Sequence, residues 1–410
     1  MNNLNEMLKD YARLIVSLGA NVQKGQRVIL NFDAEIADFC ALVAESAYEC
    51  GASEVFSDIT SVKLERLRML HADDKYTKNV CPFYAEKLNA LSSEGACYIR
   101  VISPDPEGLK GVSAEKLSSL VKSKKEKMSS FFRNQDTGKM RWTIAAFPSK
   151  KWAKKVYPNE PEERAMELLL EDVLSASRAR GDFRANWENH TKTLREKREY
   201  LTSQKLDYVT LKSKLSGTDV KIGLNEGGIW AGGAAEDAFG NVYVPNLPTE
   251  ETFTTPDRLR IDGKIVSTKP LCFQGQIIDN FYIELKNGKI ISYGAETGYD
   301  TLKSIIEADE GSHYLGELAL IPKDSPLSSM KKLFFTTLFD ENASCHVAIG
   351  EGFAECIEGG FALSEDELLQ KGVNSSCMHV DFMIGADDLE ILGYTKSGKE
   401  IAIFRDGGWA

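Results

Sequence analysis

Five histidines occur in the 410 residues: His71, His190, His313, His346 and His379. The last three lie within 67 residues of one another, and two of them stand beside acidic or glycine-flanked strand patterns. In His379-Val380-Asp381-Phe382-Met383 the alternation puts His379 and Asp381 on one face of a strand and Val380 and Phe382 on the other. A neutral imidazole and a carboxylate projecting side by side can take one divalent cation. Taken alone, the pair also suits a surface strand with its polar residues outward. In Cys345-His346-Val347-Ala348-Ile349-Gly350, His346 shares its face with the small Ala348, which leaves space for a ligand. In Leu315-Gly316-Glu317-Leu318-Ala319-Leu320, Glu317 stands inside an otherwise apolar strand. A carboxylate there is costly unless it is paired or coordinates a metal. His313, just upstream, reads as a loop residue. In Val244-Pro245-Asn246-Leu247-Pro248-Thr249-Glu250-Glu251 and the residues to Pro256, prolines stiffen a segment around two adjacent glutamates. Adjacent residues of an extended chain point to opposite sides, so one carboxylate can bind a metal while the other acts as a base. Together these residues are the inventory of a two-metal hydrolase, in which a shared carboxylate holds two ions ~3.5–4 Å apart. A free glutamate would shuttle the proton.

The elements that must hold these residues divide at about residue 205. Residues 1–205 read as a layered α/β domain. An apolar stripe from Leu4 to Leu18 predicts a helix, stopped by Gly19. Residues 27–32, 54–58, 96–102 and 141–147 predict strands with helices between them, hence a largely parallel sheet. The Lys-rich stretch 108–140 reads as a solvated helix or surface excursion, and 160–205 as a charged helical connector. Residues 206–410 read as a strand-rich domain that would carry the catalytic metals. Asn287-Gly288 between two strand patterns signals a hairpin turn, and Asp262-Gly263 reads as a second one. The expected fold class is therefore mixed: an N-terminal α/β layer followed by a strand-rich α+β half.

Charge and composition narrow the function. Residues 1–200 hold 32 basic and 29 acidic side chains, and residues 201–410 hold 18 and 32. An excess of 14 negative charges in the second half opposes a polyanion partner, which needs Lys and Arg, and suits a cation. No GxGxxG or GxxxxGK[ST] motif follows a strand, so no nucleotide or nucleic-acid role is expected. No apolar run is long enough to cross a membrane, and the N-terminus lacks the pattern of a secretory signal. The eight cysteines form no CxxC and read as free thiols of a cytoplasmic protein.

The four motifs follow one another in order: Asn246-Leu247-Pro248-Thr249-Glu250-Glu251, His313-Tyr314-Leu315-Gly316-Glu317, His346 leading to Ile357-Glu358-Gly359-Gly360, and His379-Val380-Asp381-Phe382-Met383-Ile384-Gly385. In this order they closely resemble the thermophilic-type metalloaminopeptidases of the M29 family, across nearly the whole chain. The resemblance implies two divalent ions (zinc, cobalt or manganese) held by a glutamate of the Thr249-Glu250-Glu251 motif, Glu317, His346, His379 and Asp381, and spacing to Glu317 favours Glu251 as that glutamate. Glu250 would be the neighbouring carboxylate and base. It also implies a homodimer and a peptide substrate with a free N-terminus. One position departs from the family: a tyrosine usually stands seven residues after the histidine that is His346 here, and this chain has Phe353. A tyrosine hydroxyl could hold an oxyanion, and losing such a donor costs on the order of 10²–10³ in rate. Two other readings stay open at this stage. One is a metal hydrolase of another substrate class, and the other a non-catalytic relative acting as a binding module.

Overall fold

The computed structural model describes residues 2–410, with side chains from Leu4 onward. The chain forms two compact units. Among the described residues, one comprises 2–112, 123–192 and 233–249, and the other 113–122, 193–232 and 250–410.

The first unit is built on a five-stranded parallel sheet. Its order is Glu54–Thr60, Arg27–Asp33, Cys97–Ile102, Trp142–Ala146, Asn246–Leu247. Arg27–Asp33 lies inside the sheet, and its five middle residues are buried, as expected for a parallel strand covered on both faces. The helix Asn2–Leu14 passes into a wider turn, Ile15–Gly19, that ends where the glycine stop was expected. At Gly19 a Cβ would lie 2.9 Å from Thr143 Oγ1, so the backbone there packs directly on the sheet. Asp33 terminates its strand and caps the next turn, accepting from the Glu35 N–H at 3.0 Å. The expected single charged connector is two helices, Glu162–Ala176 and Phe183–Ser203. Between them Arg178 and Gly181 adopt positive φ. Trp187 fixes the second helix, being fully buried with its indole N–H on the Ser177 carbonyl at 2.9 Å. A buried ion pair, Arg141 with Asp237, joins distant parts of this unit. Arg141 also donates to the Ala20 carbonyl at 3.1 Å.

The second unit contains two antiparallel sheets. The larger has nine strands, and the smaller has four in the order Thr252–Thr254, Leu315–Leu320, His346–Gly350, His379–Met383. Alternation sorts the small sheet as its sequence implied. Leu318, Leu320, Val347, Ile349, Val380 and Phe382 enter a shared core with strands of the large sheet. Phe382 meets Phe281 at a ring-centroid distance of 5.1 Å. Glu317, His346, Ala348 and Asp381 are left for the other face. Asn287-Gly288 forms the expected turn between Gln276–Lys286 and Lys289–Thr297.

Asp262-Gly263 is not a turn. Both residues lie inside one long strand, Pro256–Val266, with Gly263 paired to Val220 on one side and Leu285 on the other. A Cβ on Gly263 would fall 2.3 Å from the Asp219 carbonyl oxygen, so the glycine permits close backbone approach instead of reversing the chain. Asp262 serves the real turn, accepting from the Asn287 N–H at 3.1 Å.

Candidate metal centre

Register places the acidic groups. Glu317 pairs with Ala348, and Ala348 with Asp381, so the three residues form a row across three adjacent strands. The methyl of Ala348 leaves a gap between two carboxylates. His346 pairs with Ala319 and Met383, and His379 with Gly350, which flank the row. Glu251 enters from the residue before Thr252–Thr254, the outer strand of the sheet.

These five side chains converge. Ligand-type atoms of Glu251, Glu317 and His346 lie within 4.8 Å of one another, and so do those of Glu317, His379 and Asp381. Glu317 belongs to both groups. His346 Nε2 is 3.3 Å from Glu251 Oε2 and 3.9 Å from Glu317 Oε1. His379 Nε2 is 3.2 Å from both Glu317 Oε2 and Asp381 Oδ1. All five are buried except His379, whose side chain is 28% exposed.

The far nitrogens decide what the near ones can do. His346 Nδ1 meets the carbonyl oxygens of Glu341 and Ser344, each at 3.1 Å. His379 Nδ1 meets the Glu351 carbonyl at 2.8 Å. A carbonyl only accepts, so each Nδ1 carries a proton and each neutral ring turns its Nε2 lone pair toward carboxylates. Lone pairs facing oxygens at 3.2–3.3 Å require a cation between them, either a proton or a metal. Backbone-anchored Nδ1 with Nε2 presented is the arrangement of metal-ligating histidines. Asp381 Oδ1 is buried and, apart from the His379 Nε2 that faces it at 3.2 Å, has no hydrogen-bond partner among the described residues. Three carboxylates and two imidazoles are a fitting donor set for a divalent first-row metal.

The electrostatics show the same demand. Burial, with the nearby Asp381 and Glu251 carboxylates, pushes Glu317 up to about 7, against the pull of the histidines. Burial works against charge on His346, yet Glu251, Glu317 and Asp381 raise it to about 10. Burial would likewise lower His379, and Asp381 and Glu317 raise it well above its ordinary value. Asp381 is opposed by burial but held at about 2 by the two histidines.

The structure brings together Glu251, Glu317, His346, His379 and Asp381. Glu250 is buried beside them in sequence, with its N–H on Asn342 Oδ1 at 2.8 Å, but it is not a member of either converging group. His313 lies in a 3₁₀ turn outside the groups, as a loop histidine. His190 is also outside. Its Nε2–H donates to the Thr249 carbonyl at 2.7 Å, immediately before the two glutamates, and burial lowers its pKa to about 4. Sequence reasoning missed Glu341. Burial, with Asp381 and Glu251 close by, raises its carboxyl well above the ordinary range, and its carbonyl anchors His346. It is the last residue of a five-residue helix, Thr337–Glu341, in a stretch with no periodic pattern, and no signal in the sequence marks it. Phe353 lies against the centre, its ring 4.9 Å from the His379 ring and 5.4 Å from that of Phe253.

A buried cluster of carboxylates and imidazoles on strands of a mixed α/β chain defines a metal-dependent hydrolase more readily than any other class. Comparison with known proteins specifies which. The family model for the thermophilic metalloprotease (M29) matches residues 4–409, and the chain belongs to that family of metallopeptidases. Aminopeptidase AmpS of Bacillus subtilis (strain 168) is 40% identical over 411 residues, covering all of both chains. Aminopeptidase T of Thermus aquaticus is 34% identical, again over the full length of both. The solved structure of wild-type AmpT from Thermus thermophilus superposes with a TM-score of 0.89 at 33% identity, covering 99% of each chain. The chain is therefore a peptide-bond hydrolase whose family uses divalent metal.

Proposed function

We propose that this protein removes N-terminal residues from peptides with a pair of divalent ions. Glu251 and His346 would serve one ion, His379 and Asp381 the other, and Glu317 both. The single observation that carries the reading is that the two converging groups share one member, Glu317. When bound, such ions polarise a scissile carbonyl and lower the pKa of water. The chain's own residues do the rest. The carbonyls of Glu341, Ser344 and Glu351 hold the imidazoles in the ligating tautomer. The surplus of carboxylates attracts the ammonium terminus of a peptide. Glu250 is proposed as the base that moves the proton, with Glu341 a half-buried carboxylate near the centre. The catalytic half is assigned to residues 206–410, since all five converging residues lie there, with residues 1–205 as scaffold.

Zinc, cobalt or manganese all suit a mixed oxygen and nitrogen donor set. We assign the protein to the cytoplasm, supported by eight cysteines that form no disulfide among the described residues, and to a homodimer, which size-exclusion chromatography with light scattering tests. Aminoacyl-p-nitroanilides test the function. Hydrolysis should stop on chelation, return with added metal, and be absent for N-acetylated substrates. Activity that survives chelation, or equal cleavage of blocked substrates, would overturn the reading.

A further inference from the structure

The face of the small sheet that carries the candidate ligands is closed over most of its width and open beside one aromatic pair. Register defines that face. Phe253 pairs with Ala319, and Ala319 with His346, so these three form a second row beside Glu317, Ala348 and Asp381. The strand neighbours of Phe253, Thr252 and Thr254, pair instead with Leu320 and Leu318, which enter the core. Phe253 therefore projects where the ligands project, two residues on from Glu251. Ala319, His346 and Ala348 are buried. Phe253 and Phe353 are half-buried, and the side chain of His379 is 28% exposed. The Phe353 ring lies 4.9 Å from the His379 ring and 5.4 Å from that of Phe253. A molecule approaching the centre on its open side thus meets three rings in contact.

The two phenylalanines are fixed by main-chain contacts. The Ala231 N–H donates to the Phe253 carbonyl at 2.8 Å, and the Phe253 N–H to the Ala231 carbonyl at 3.0 Å. The Phe353 N–H donates to Thr255 Oγ1 at 2.8 Å. The rings meet edge to face, at an interplanar angle of 67°. A wall set in place before binding adds little ordering cost when a ligand arrives. Phenyl rings neither hold a cation of this kind nor move a proton. What they offer is apolar contact to a part of the substrate that does not react. When an aminopeptidase places its scissile carbonyl at the metals, the side chain one atom away belongs to the first residue.

We propose that Phe253 and Phe353 receive the side chain of the peptide's first residue and select large apolar ones, leucine and phenylalanine above alanine and glutamate. The inference rests on the aminopeptidase reading and extends it to the substrate class. Alanine leaves most of the wall uncovered, and glutamate would give up water against rings that offer its carboxylate no partner.

Aminoacyl-p-nitroanilides turned over by the full-length, metal-loaded protein test it. Leucine and phenylalanine substrates should exceed alanine and glutamate substrates at least ~10-fold in kcat/KM. In Phe253→Ala the leucine-to-alanine ratio should fall at least ~5-fold, and Phe253→Leu should keep most of it. A ratio read on one preparation is insensitive to lost folding or lost metal, which lower both substrates alike. Calorimetric titration with the products L-phenylalanine and glycine gives a readout without turnover: phenylalanine should bind at least ~10-fold more tightly. A flat ranking in the wild type, a ratio unmoved in Phe253→Ala, or equal affinity for the two amino acids overturns the proposal and leaves the aminopeptidase reading standing. Cleavage of N-acetylleucine p-nitroanilide as fast as the unblocked substrate, with the side-chain ranking intact, would overturn that reading and keep the aromatic wall.

Discussion

Glu317 carries more of the centre than any other residue, because it alone belongs to both converging groups. Glu317→Gln keeps the shape and removes the charge. It should lower kcat by at least ~10²-fold and reduce bound metal, read by elemental analysis alongside turnover. Wild-type metal content and rate in this variant would remove it from the centre. Phe353 offers the opposite experiment. Its ring already packs on His379, so Phe353→Tyr adds a hydroxyl without repacking. Turnover should rise with little change in KM, as expected for a donor that acts in the transition state. At this scale the sequence was legible where chemistry conflicted with context: a glutamate in an apolar strand and a histidine two residues from an aspartate. Glu341 conflicts with nothing local, because the carboxylates that raise it, Asp381 and Glu251, are distant in sequence. Glu250 shows the limit differently. Adjacent carboxylates look alike in one dimension apart from their spacing to Glu317, and in three dimensions Glu251 Oε2 lies 3.3 Å from His346 Nε2.

The elements around the centre are held by backbone contacts and a few polar clamps. Gly316 precedes Glu317, and a Cβ there would fall 1.9 Å from the Glu351 carbonyl oxygen. Gly316→Ala must push one strand from its neighbour. It should destabilise by about 1–3 kcal/mol in urea unfolding and weaken metal binding in equilibrium dialysis. Asp309 clamps the approach to His379–Met383. It accepts from the Cys377 N–H at 2.6 Å, and from the hydroxyls of Ser376 and Ser312 and the Ser312 N–H, each at 2.8 Å. Burial opposes its charge, but these donors prevail and lower its pKa to about 2. The folded value lies below the ordinary one, so the clamp stabilises at neutral pH and is lost as pH falls from about 4 through about 2. Asp309→Asn should cost about 1–2 kcal/mol at pH 7. The gap from wild type should close toward pH 2, and a constant gap across that range would contradict the clamp. Regular alternation made most strands readable. The Asp262-Gly263 reading failed because the dipeptide suits both a turn and close strand approach, and only pairing with Val220 and Leu285 decides between them.

Across the whole molecule, the two units draw on segments that interleave along the chain, residues 233–249 belonging with the first and 113–122 with the second. Local periodicity cannot announce such exchanges. The buried Arg141–Asp237 pair ties one exchanged segment, 233–249, into the first unit. Removing one partner leaves a charge uncompensated in the interior, so Asp237→Asn should lower stability by about 3–5 kcal/mol. Replacing both with apolar residues should recover much of the loss in calorimetric melting, and a single variant as stable as wild type would show the pair to be idle. A last consequence follows from how the two imidazoles are oriented. Their Nδ1 anchors are main-chain carbonyls, and no point substitution can delete a carbonyl. Ring orientation is thus written into the path of the chain and survives genetic drift at those positions. Mutational fragility concentrates instead in the five converging side chains themselves, so a lineage losing this activity would lose ligands and not the backbone path that orients them.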